Sequence, residues 1–393
     1  MTSPPVSITA YSLCNAMGMS TAEVLAGLER GVSGLRPCPP EFFRSGVAGV
    51  LPGELPALPA ALRQRDARIT RMMAVSLEAL RPAVAKACAR WSAERVGVVL
   101  GTSTGGIRET ELAYRAHSEG GALPEGYSVE RIHALDSILE VTRALTGIGG
   151  PGYVVSTACS SSAKVLGSAQ RMLQTGVCDA VIVGGIDTLC QLTLNGFDGL
   201  KLLSPRPCRP FSVEREGINI GEGAALLLVE REGDGPARLL GVGESSDAYH
   251  MTSPHPEGLG ARLAMERALA DAGLSAELVD HVNAHATGTK QNDIAEGAAI
   301  AALLGDTPVV ATKGYTGHLL GAAGATEVVF SIAAIERGFV PASVGSTPLD
   351  PAIPVRVVAQ RRRAASRYVL SNSFAFGGSN VSVLIGGPEG GAA

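Results

Sequence analysis

The stretch Tyr153-Val154-Val155-Ser156-Thr157-Ala158-Cys159-Ser160-Ser161-Ser162 joins an apolar run to a segment with helical periodicity. The apolar run predicts a buried strand, and the serines after Cys159 are good capping residues for a helix. A thiol at such a turn lies against the positive end of the helix dipole, where free backbone N–H groups favour the thiolate. This arrangement presents a nucleophile for covalent catalysis, but a lone cysteine is more often a small buried core residue.

The rest of the chain alternates strands with helices. Nine short apolar or β-branched runs predict strands at 6–10, 96–100, 153–156, 180–183, 224–229, 281–284, 309–312, 368–370 and 381–385. Four segments with helical periodicity predict helices at 71–87, 164–175, 259–272 and 322–337. This alternation predicts an α/β fold with mostly buried sheets.

The two halves of the chain resemble each other faintly. A strand at 155–157 precedes a helix that ends at Gly176, and a strand follows it at 180–183. In the same way, a strand at 310–312 precedes a helix that ends at Gly338, and Val340 follows. Charged residues, glycine and proline concentrate at 230–237, so the sequence predicts two halves, 1–235 and 236–393.

Composition restricts the class of protein. Hydrophobic residues make up 46% of the 393 residues, enough for a large core, and the net charge of −4 gives no support for nucleic-acid or acidic-membrane binding. The seven cysteines include no CxxC pair and no zinc-type cluster, so we expect no metal site. Their odd number, an N-terminal stretch Met1–Pro5 without basic residues, and the lack of a long charge-free run predict a cytoplasmic protein.

Three further loops each combine a reactive or polar group with small residues. They are Asn283-Ala284-His285-Ala286-Thr287-Gly288-Thr289, the stretch from Lys313-Gly314-Tyr315-Thr316-Gly317-His318 to Gly324, and Asn372-Ser373-Phe374-Ala375-Phe376-Gly377-Gly378-Ser379-Asn380. Each loop follows a predicted strand, and small residues let a ligand or another backbone approach closely. A single histidine in such a loop is about as often structural as catalytic.

Taken together and in this order, the Cys159 turn and the three loops resemble the β-ketoacyl-ACP synthases, the condensing enzymes of the thiolase superfamily. The resemblance covers nearly the whole chain, from Met17-Gly18 to Phe376-Gly377-Gly378, and includes Arg209-Pro210-Phe211 and Gly221-Glu222-Gly223-Ala224. It implies a thiolase fold, in which two pseudo-symmetric βαβαβ halves form a layered αβαβα arrangement.

The resemblance implies a decarboxylative Claisen condensation in two steps. An acyl chain passes from a phosphopantetheine thioester to Cys159, and the enolate formed from malonyl-ACP then attacks it to give a β-ketoacyl-ACP. His285 and His318 match the imidazole pair that stabilises the enolate oxygen. The backbone N–H groups of Cys159 and Phe376 match the separate oxyanion hole for acyl transfer.

Other residues take roles by the same resemblance. Lys313 matches a lysine near the second histidine, and Glu327 matches the carboxylate that pairs with it. On the residues alone, a surface lysine and an exposed helix carboxylate are the alternatives. Two threonines match residues that hydrogen-bond the pantetheine amides, and the loop around Phe376 matches a mobile gate in which Phe376 moves. The substrate-binding positions are Thr287, Thr289, Phe374 and Gly377, and Phe376 belongs with the catalytic residues.

The partners implied by the resemblance are an acyl carrier protein and a second subunit. The carrier delivers phosphopantetheine, and no cofactor is bound permanently. The second subunit makes either a homodimer or a heterodimer of ketosynthase and chain length factor. Because carrier proteins are acidic, basic side chains should dock them, and the candidates are Arg63, Arg65, Arg68, Arg71 and Arg209, each of which could equally be salt-bridged or solvated.

The sequence departs from the family pattern at a few positions. Ala286, Gly314 and Ala375 replace the usual Gly, Ser and Gly in three of the loops, and Asn219 lies in a stretch that is usually apolar. None of these changes removes a reacting group, although they lie where gating and chain selectivity are set.

Four alternative functions fit the sequence less well than an elongating ketosynthase. A thiolase needs a second, late cysteine, and no cysteine follows Cys208. A coenzyme A-dependent starter synthase pairs its cysteine with one histidine and one asparagine, whereas this chain has His318. A non-catalytic chain-length partner would lack Cys159, and a Cys–His hydrolase would not need Lys313 with two imidazoles. The sequence thus predicts an elongating ketosynthase of a fatty-acid, polyene or polyketide route. The alternatives are a subunit of a heterodimer in which a chain length factor sets chain length, and a non-catalytic interaction subunit.

Overall fold

The computed structural model describes residues 4–388. Their strands form one eleven-stranded sheet and two two-stranded sheets. The strands are β1 (Val6–Asn15), β2 (Arg36–Pro37), β3 (Val47–Ala48), β4 (Val96–Gly101), β5 (Gly152–Val155), β6 (Ala180–Asp187), β7 (Gly223–Glu230), β8 (Ala237–Ser246), β9 (His281–Ala284), β10 (Pro308–Ala311), β11 (Phe339–Val340), β12 (Arg356–Val357), β13 (Arg362–Arg363), β14 (Tyr368–Phe374) and β15 (Ser379–Gly386). The α-helices are α1 (Thr21–Arg30), α2 (Arg68–Trp91), α3 (Ile107–Ser118), α4 (Ser137–Thr146), α5 (Ser161–Gln174), α6 (Gln191–Gly199), α7 (Leu259–Ala272), α8 (Lys290–Leu304), α9 (Lys313–Thr316) and α10 (Ala323–Arg337).

The sheet order is β12-β10-β9-β14-β15-β8-β1-β7-β6-β4-β5. Ten of its eleven strands form two sets of five with the same order and the same directions, and β12 is added at the edge of the second set, parallel to β10. In the first, β1, β7 and β6 are antiparallel neighbours, and β6, β4 and β5 are parallel. In the second, β8, β15 and β14 are antiparallel, and β14, β9 and β10 are parallel. The two sets meet where β1 pairs briefly with β8.

Helices cover both faces of each set of strands. α5 and α10 lie between the two sets, in one core with residues from both, such as Leu227 and Val383. On the outside, α2 and α4 pack on the first set, and α7 and α8 pack on the second. Strands β4, β6 and β7 are buried along their whole length, because helices cover both faces. The predicted layered αβαβα thiolase fold is confirmed.

The structure corrects two details of the predicted repeat. Val340 lies in β11, which pairs with β13 outside the large sheet, and β14 is the counterpart of β6. Strand β8 was not predicted, because its sequence mixes glycine and charged residues with apolar ones.

The predicted halves, 1–235 and 236–393, meet in the short loop between β7 and β8. Residues 1–3, the start of the N-terminal stretch, and residues 389–393 lie outside the described residues. Within 4–388, none of the helices is both long and apolar enough to cross a bilayer.

Candidate active site

Cys159 lies in a tight turn between β5 and α5. Ala158, which precedes it, has φ +49°, a left-handed conformation that is unfavourable for a residue with a Cβ. Two hydroxyls hold the Ala158 carbonyl in place: Ser161 Oγ donates to it at 2.6 Å and Ser103 Oγ at 3.0 Å. The strain is therefore fixed by neighbouring hydrogen bonds, as is typical of functional turns.

The Cys159 side chain is 7% exposed and protonated at rest. Burial raises the pKa of its thiol to about 12, while Lys313 and the backbone N–H groups of Phe376 and of Cys159 itself lower the pKa. Helix α5 begins at Ser161, within the run of serines predicted to cap it and three residues before the predicted segment 164–175. The expected preference for the thiolate is outweighed by burial, which removes solvent from the thiol. The two N–H groups directed at the sulfur are those predicted for the oxyanion hole.

His285 follows β9, and His318 follows α9. Their rings lie with centroids 5.4 Å apart and nearly perpendicular, at 87°. Burial lowers the pKa of both imidazoles well below the usual value, and the positive charge of Lys313 lowers each pKa further. Both rings are therefore neutral at physiological pH and keep one N–H each to donate.

Lys313 and Glu327 form a buried ion pair, with Lys313 Nζ 2.6 Å from Glu327 Oε1. Burial raises the pKa of Glu327 to about 7, and Lys313 acts to lower it. Lys313 Nζ also lies 3.4 Å from His285 Nδ1. Since an ammonium group only donates, this contact places the His285 proton on Nε2. The lysine predicted beside the second histidine thus touches the first.

One cavity, with about 640 Å³ of empty space including its opening to solvent, brings the nucleophile and the two histidines together. Its lining includes the nucleophile, both histidines, both threonines and both phenylalanines of the sequence prediction: Cys159, His285, His318, Thr287, Thr289, Phe374 and Phe376. Thr287 Oγ1 and Thr289 Oγ1 lie 2.9 Å apart. Within residues 4–388 neither ring nitrogen of His318 has a hydrogen-bond partner, although the ring is buried, so both are available to a bound substrate.

The loop after β14 closes one side of the cavity. The Phe376 ring stacks on Phe197 at 5.5 Å. Gly377 and Gly378 follow it with φ +81° and +75°, left-handed conformations that suit glycine. Gly377 donates its N–H to the Met251 carbonyl at 2.7 Å, so a neighbouring loop fixes this side of the cavity.

The five arginines proposed for docking differ in their surroundings. Arg68 is bound through two nitrogens to the buried Glu222, at 2.5 and 2.9 Å, which favours the salt-bridged alternative for this residue over docking. Arg71 pairs with Asp66, and Arg209 pairs with Glu214. Arg63 is exposed and Arg65 half-buried, and neither forms an ion pair within the described part of the chain.

Sequence analysis missed Glu296, which organises the His285 loop. Its carboxylate accepts the N–H groups of His285 and Ala286 at 2.8 and 2.7 Å and contacts the amide of Asn372. Burial raises the pKa of Glu296 to about 6. The available signal was a charged residue within the otherwise apolar part of α8.

The departures from the family pattern have local explanations. Ala286 has φ +38°, which shows why glycine is usual there. Gly314 has no room for a side chain, because a Cβ would lie 2.1 Å from the Val344 carbonyl oxygen. Asn219 accepts the Cys208 N–H at 2.6 Å and donates to two carbonyls of the 204–206 loop. It therefore fixes that loop to the segment that contains Asn219 itself.

Comparison with known proteins agrees with this geometry. Residues 3–235 match the family profile of the β-ketoacyl synthase N-terminal domain, and residues 236–347 match that of the C-terminal domain. Nodulation protein E of Rhizobium meliloti (strain 1021) is 34% identical over 94% of this chain and 95% of its own length. The 3-oxoacyl-acyl-carrier-protein synthase 2 of Vibrio cholerae is 34% identical over 75% of this chain and 76% of its own length.

A solved structure is similar over almost the whole chain. It is a chain of the complex between the ketosynthase ApeO and its chain length factor ApeC from Xenorhabdus doucetiae, with 37% identity, a TM-score of 0.93 and 98% of each chain covered. The two family profiles together cover residues 3–347, and nodulation protein E matches over 94% of the chain. The chain therefore belongs to the β-ketoacyl synthase family, whose members are acyltransferases of the ketosynthase type.

Proposed function

We propose that this protein is an elongating ketosynthase that uses Cys159 as its acyl acceptor. The observation that carries the proposal is the single cavity that holds Cys159, His285 and His318. A thiol supplies the covalent attachment, and two neutral N–H donors stabilise an enolate oxygen. This combination fits condensation better than hydrolysis, in which a base must activate water.

In the first step, Cys159 attacks the carbonyl of an acyl thioester on the phosphopantetheine arm of a carrier protein. Its proton passes by way of a neutral imidazole to the departing pantetheine thiol, and a new thioester forms on Cys159. The N–H groups of Cys159 and Phe376 hold the oxyanion of the tetrahedral intermediate. Thr287 and Thr289 hydrogen-bond the arm.

In the second step, a malonyl thioester enters the same cavity and loses carbon dioxide. The electron pair of the broken C–C bond forms an enolate, whose oxygen accepts N–H groups from His285 and His318. The enolate carbon attacks the acyl carbonyl, the bond to Cys159 breaks, and the sulfur takes up a proton. Lys313 and Glu327 act on this step by holding His285 in the tautomer that donates from Nε2.

We further propose two protein partners, an acyl carrier protein and a second ketosynthase-like subunit. The likeness to a chain of a ketosynthase–chain length factor complex supports a heterodimer as the alternative to a homodimer. Arg63, Arg65, Arg71 and Arg209 are the docking candidates that remain, since the ion pairs of Arg71 and Arg209 leave both side chains partly exposed. The two halves, 1–235 and 236–393, and a cytoplasmic location also remain proposals, the latter supported by seven free thiols.

The test is intact-mass spectrometry of the purified protein incubated with acyl carrier proteins of several chain lengths, then with malonyl carrier protein. We expect an acyl adduct that disappears as a longer β-ketoacyl carrier protein forms, and no adduct on Cys159→Ala. The absence of any adduct on folded protein, with or without a co-expressed chain length factor, would refute the proposal. Loading only in the presence of the second subunit would establish the heterodimer.

A further inference from the structure

Asp187, the last residue of β6, is a fully buried carboxylate whose partners are all hydrogen-bond donors. Oδ1 accepts from Thr102 Oγ1 at 2.7 Å, from Thr104 Oγ1 at 2.7 Å and from Thr104 N at 2.8 Å. Oδ2 accepts Gly321 N at 2.6 Å, and Ser103 N lies 3.0 Å from both oxygens. Among the described residues, no cation lies within ion-pair distance of it. Burial raises the pKa of Asp187, while the hydrogen bonds from Thr102, Thr104 and the backbone of 103–104 lower it. Because a backbone N–H can only donate, this set of partners favours the anion.

The donors belong to two different segments around the active site. The turn 102–104 follows β4, and its Ser103 hydroxyl donates to the carbonyl of Ala158, beside the nucleophile. Gly321 lies in the loop three residues after His318, in the other half of the molecule. Gly321 packs too closely on Asp187 and Ser103 for any side chain, since a Cβ on Gly321 would lie 2.7 Å from Asp187 Oδ2 and 2.9 Å from Ser103 N.

We propose that Asp187 is a positioning residue that fixes the Cys159 turn and the His318 loop relative to each other. The carboxylate accepts hydrogen bonds from both the 102–104 turn and Gly321, and so holds them together. Ser103 in turn donates its hydroxyl to the Ala158 carbonyl, which fixes the turn that carries Cys159. A neutral amide cannot replace it, because an amide nitrogen would face at least one N–H donor that then has no acceptor. This inference rests on the proposed function for its effect on condensation, but not for its effect on the thiol.

The charge of Asp187 has a second consequence, with the opposite sign. Burial is the largest factor that raises the pKa of the Cys159 thiol, Lys313 is the cation that lowers it, and Asp187 is the anion that raises it. Removing the charge should therefore make the thiol more acidic, while removing the hydrogen bonds loosens the His318 loop. A residue with only a structural role would not produce these opposed effects.

The experiment compares Asp187→Asn with the wild-type protein, in the full chain and with any partner subunit present. We expect the condensation rate to fall by a factor of about ten or more, as when buried hydrogen bonds in a site are lost. We expect alkylation of Cys159 by iodoacetamide at neutral pH to become roughly three- to tenfold faster, with its pH profile displaced to lower pH.

Thr102→Val and Ser103→Ala are the matched controls, since each removes a hydroxyl of the same network and keeps the charge. Both should slow condensation without accelerating alkylation, and both remain informative if Asp187→Asn does not fold. Slower alkylation in Asp187→Asn, or unchanged condensation, would overturn the inference. If the wild-type protein is alkylated but does not condense, the proposed function fails, and the displaced alkylation profile still tests the role of Asp187.

Discussion

The two halves of the molecule carry opposite charges at strand ends near the active site, although the two strands concerned, β6 and β10, are not counterparts in the repeat. In the first half, β5 leads to Cys159 and β6 ends at Asp187, an anion held by N–H and hydroxyl donors, with no cation at ion-pair distance among residues 4–388. In the second half, β10 leads to Lys313, a cation paired with Glu327 and in contact with His285. The same arrangement of strands thus positions a nucleophile with an anion on one side and proton donors with a cation on the other.

This difference indicates a division of labour. In the proposed reaction, the first half carries the acyl chain as a thioester of Cys159, and the second half stabilises the negative charge that develops on decarboxylation. If the division is correct, damage to the second half should leave acyl loading intact. The following predictions test the comparison, beginning with the largest effect.

His318→Ala should separate the two steps. We expect Cys159 to become acylated as in the wild-type protein, while condensation falls by roughly 10²- to 10³-fold, the usual cost of one missing donor to an oxyanion. The measurement is single-turnover condensation on protein that has been loaded and checked by intact mass. His281→Gln is the control, because His281 is a buried histidine bonded to Ser366 and does not line the cavity. Loss of loading in His318→Ala would contradict the division of labour.

Lys313→Met should reveal the cost of the ion pair. Without the lysine, Glu327 remains buried alone, and we expect a loss of about 3 kcal/mol of unfolding free energy at pH 8. The pKa of Glu327 is already raised by burial to about 7, and loss of the cation raises it further. A carboxyl with a raised pKa in the folded state loses stabilisation as pH rises, so the deficit should be smaller at pH 6.

The double variant Lys313→Met, Glu327→Gln is the matched control for that measurement. It removes both charges, so urea unfolding should show most of the lost stability restored and little dependence of the remaining deficit on pH. A deficit equal at pH 6 and pH 8 in the single variant would show that lost packing, and not the unpaired carboxylate, is responsible.

Much of this comparison could be predicted from the sequence, and the remainder could not for physical reasons. Local patterns fixed the position of Cys159 and the bounds of α7 and β9, since periodicity and capping act within a few residues. The sequence did not identify Asp187 or Glu296, because their partners lie in distant segments. The sequence also did not reveal that Arg68 is bound to Glu222, or that burial outweighs the helix dipole in setting the pKa of Cys159. Both effects depend on tertiary packing.

A structural histidine of the second half should make stability depend on pH. Burial lowers the pKa of His281 to about 3, with Arg362 lowering it further, whereas the unfolded chain has an ordinary value near 6.5. The unfolded state therefore binds the extra proton first, and stability is lost as pH falls below about 6.5. At pH 5 the loss from this residue is about 2 kcal/mol. Urea unfolding at pH 7.5 and pH 5 should show a smaller difference for His281→Gln, and an unchanged difference would contradict the assignment.

The smallest effect concerns two strained alanines, one in each half. Ala158 precedes Cys159 with φ +49°, and Ala286 follows His285 with φ +38°. A left-handed alanine destabilises the folded state by about 1–2 kcal/mol. Replacing it with glycine removes this strain but increases the entropy of the unfolded chain, which costs about 0.5–1 kcal/mol. Ala286→Gly should therefore stabilise the protein by about 0.5 kcal/mol. Ala158→Gly should stabilise similarly in urea unfolding but slow acylation of Cys159, because the strained turn presents the nucleophile. Equal acylation rates in the two glycine variants would mean that acylation of Cys159 does not depend on the strain at Ala158. A loss of more than about 1 kcal/mol of unfolding free energy in Ala286→Gly would mean that packing of the Ala286 methyl group outweighs the strain at that residue.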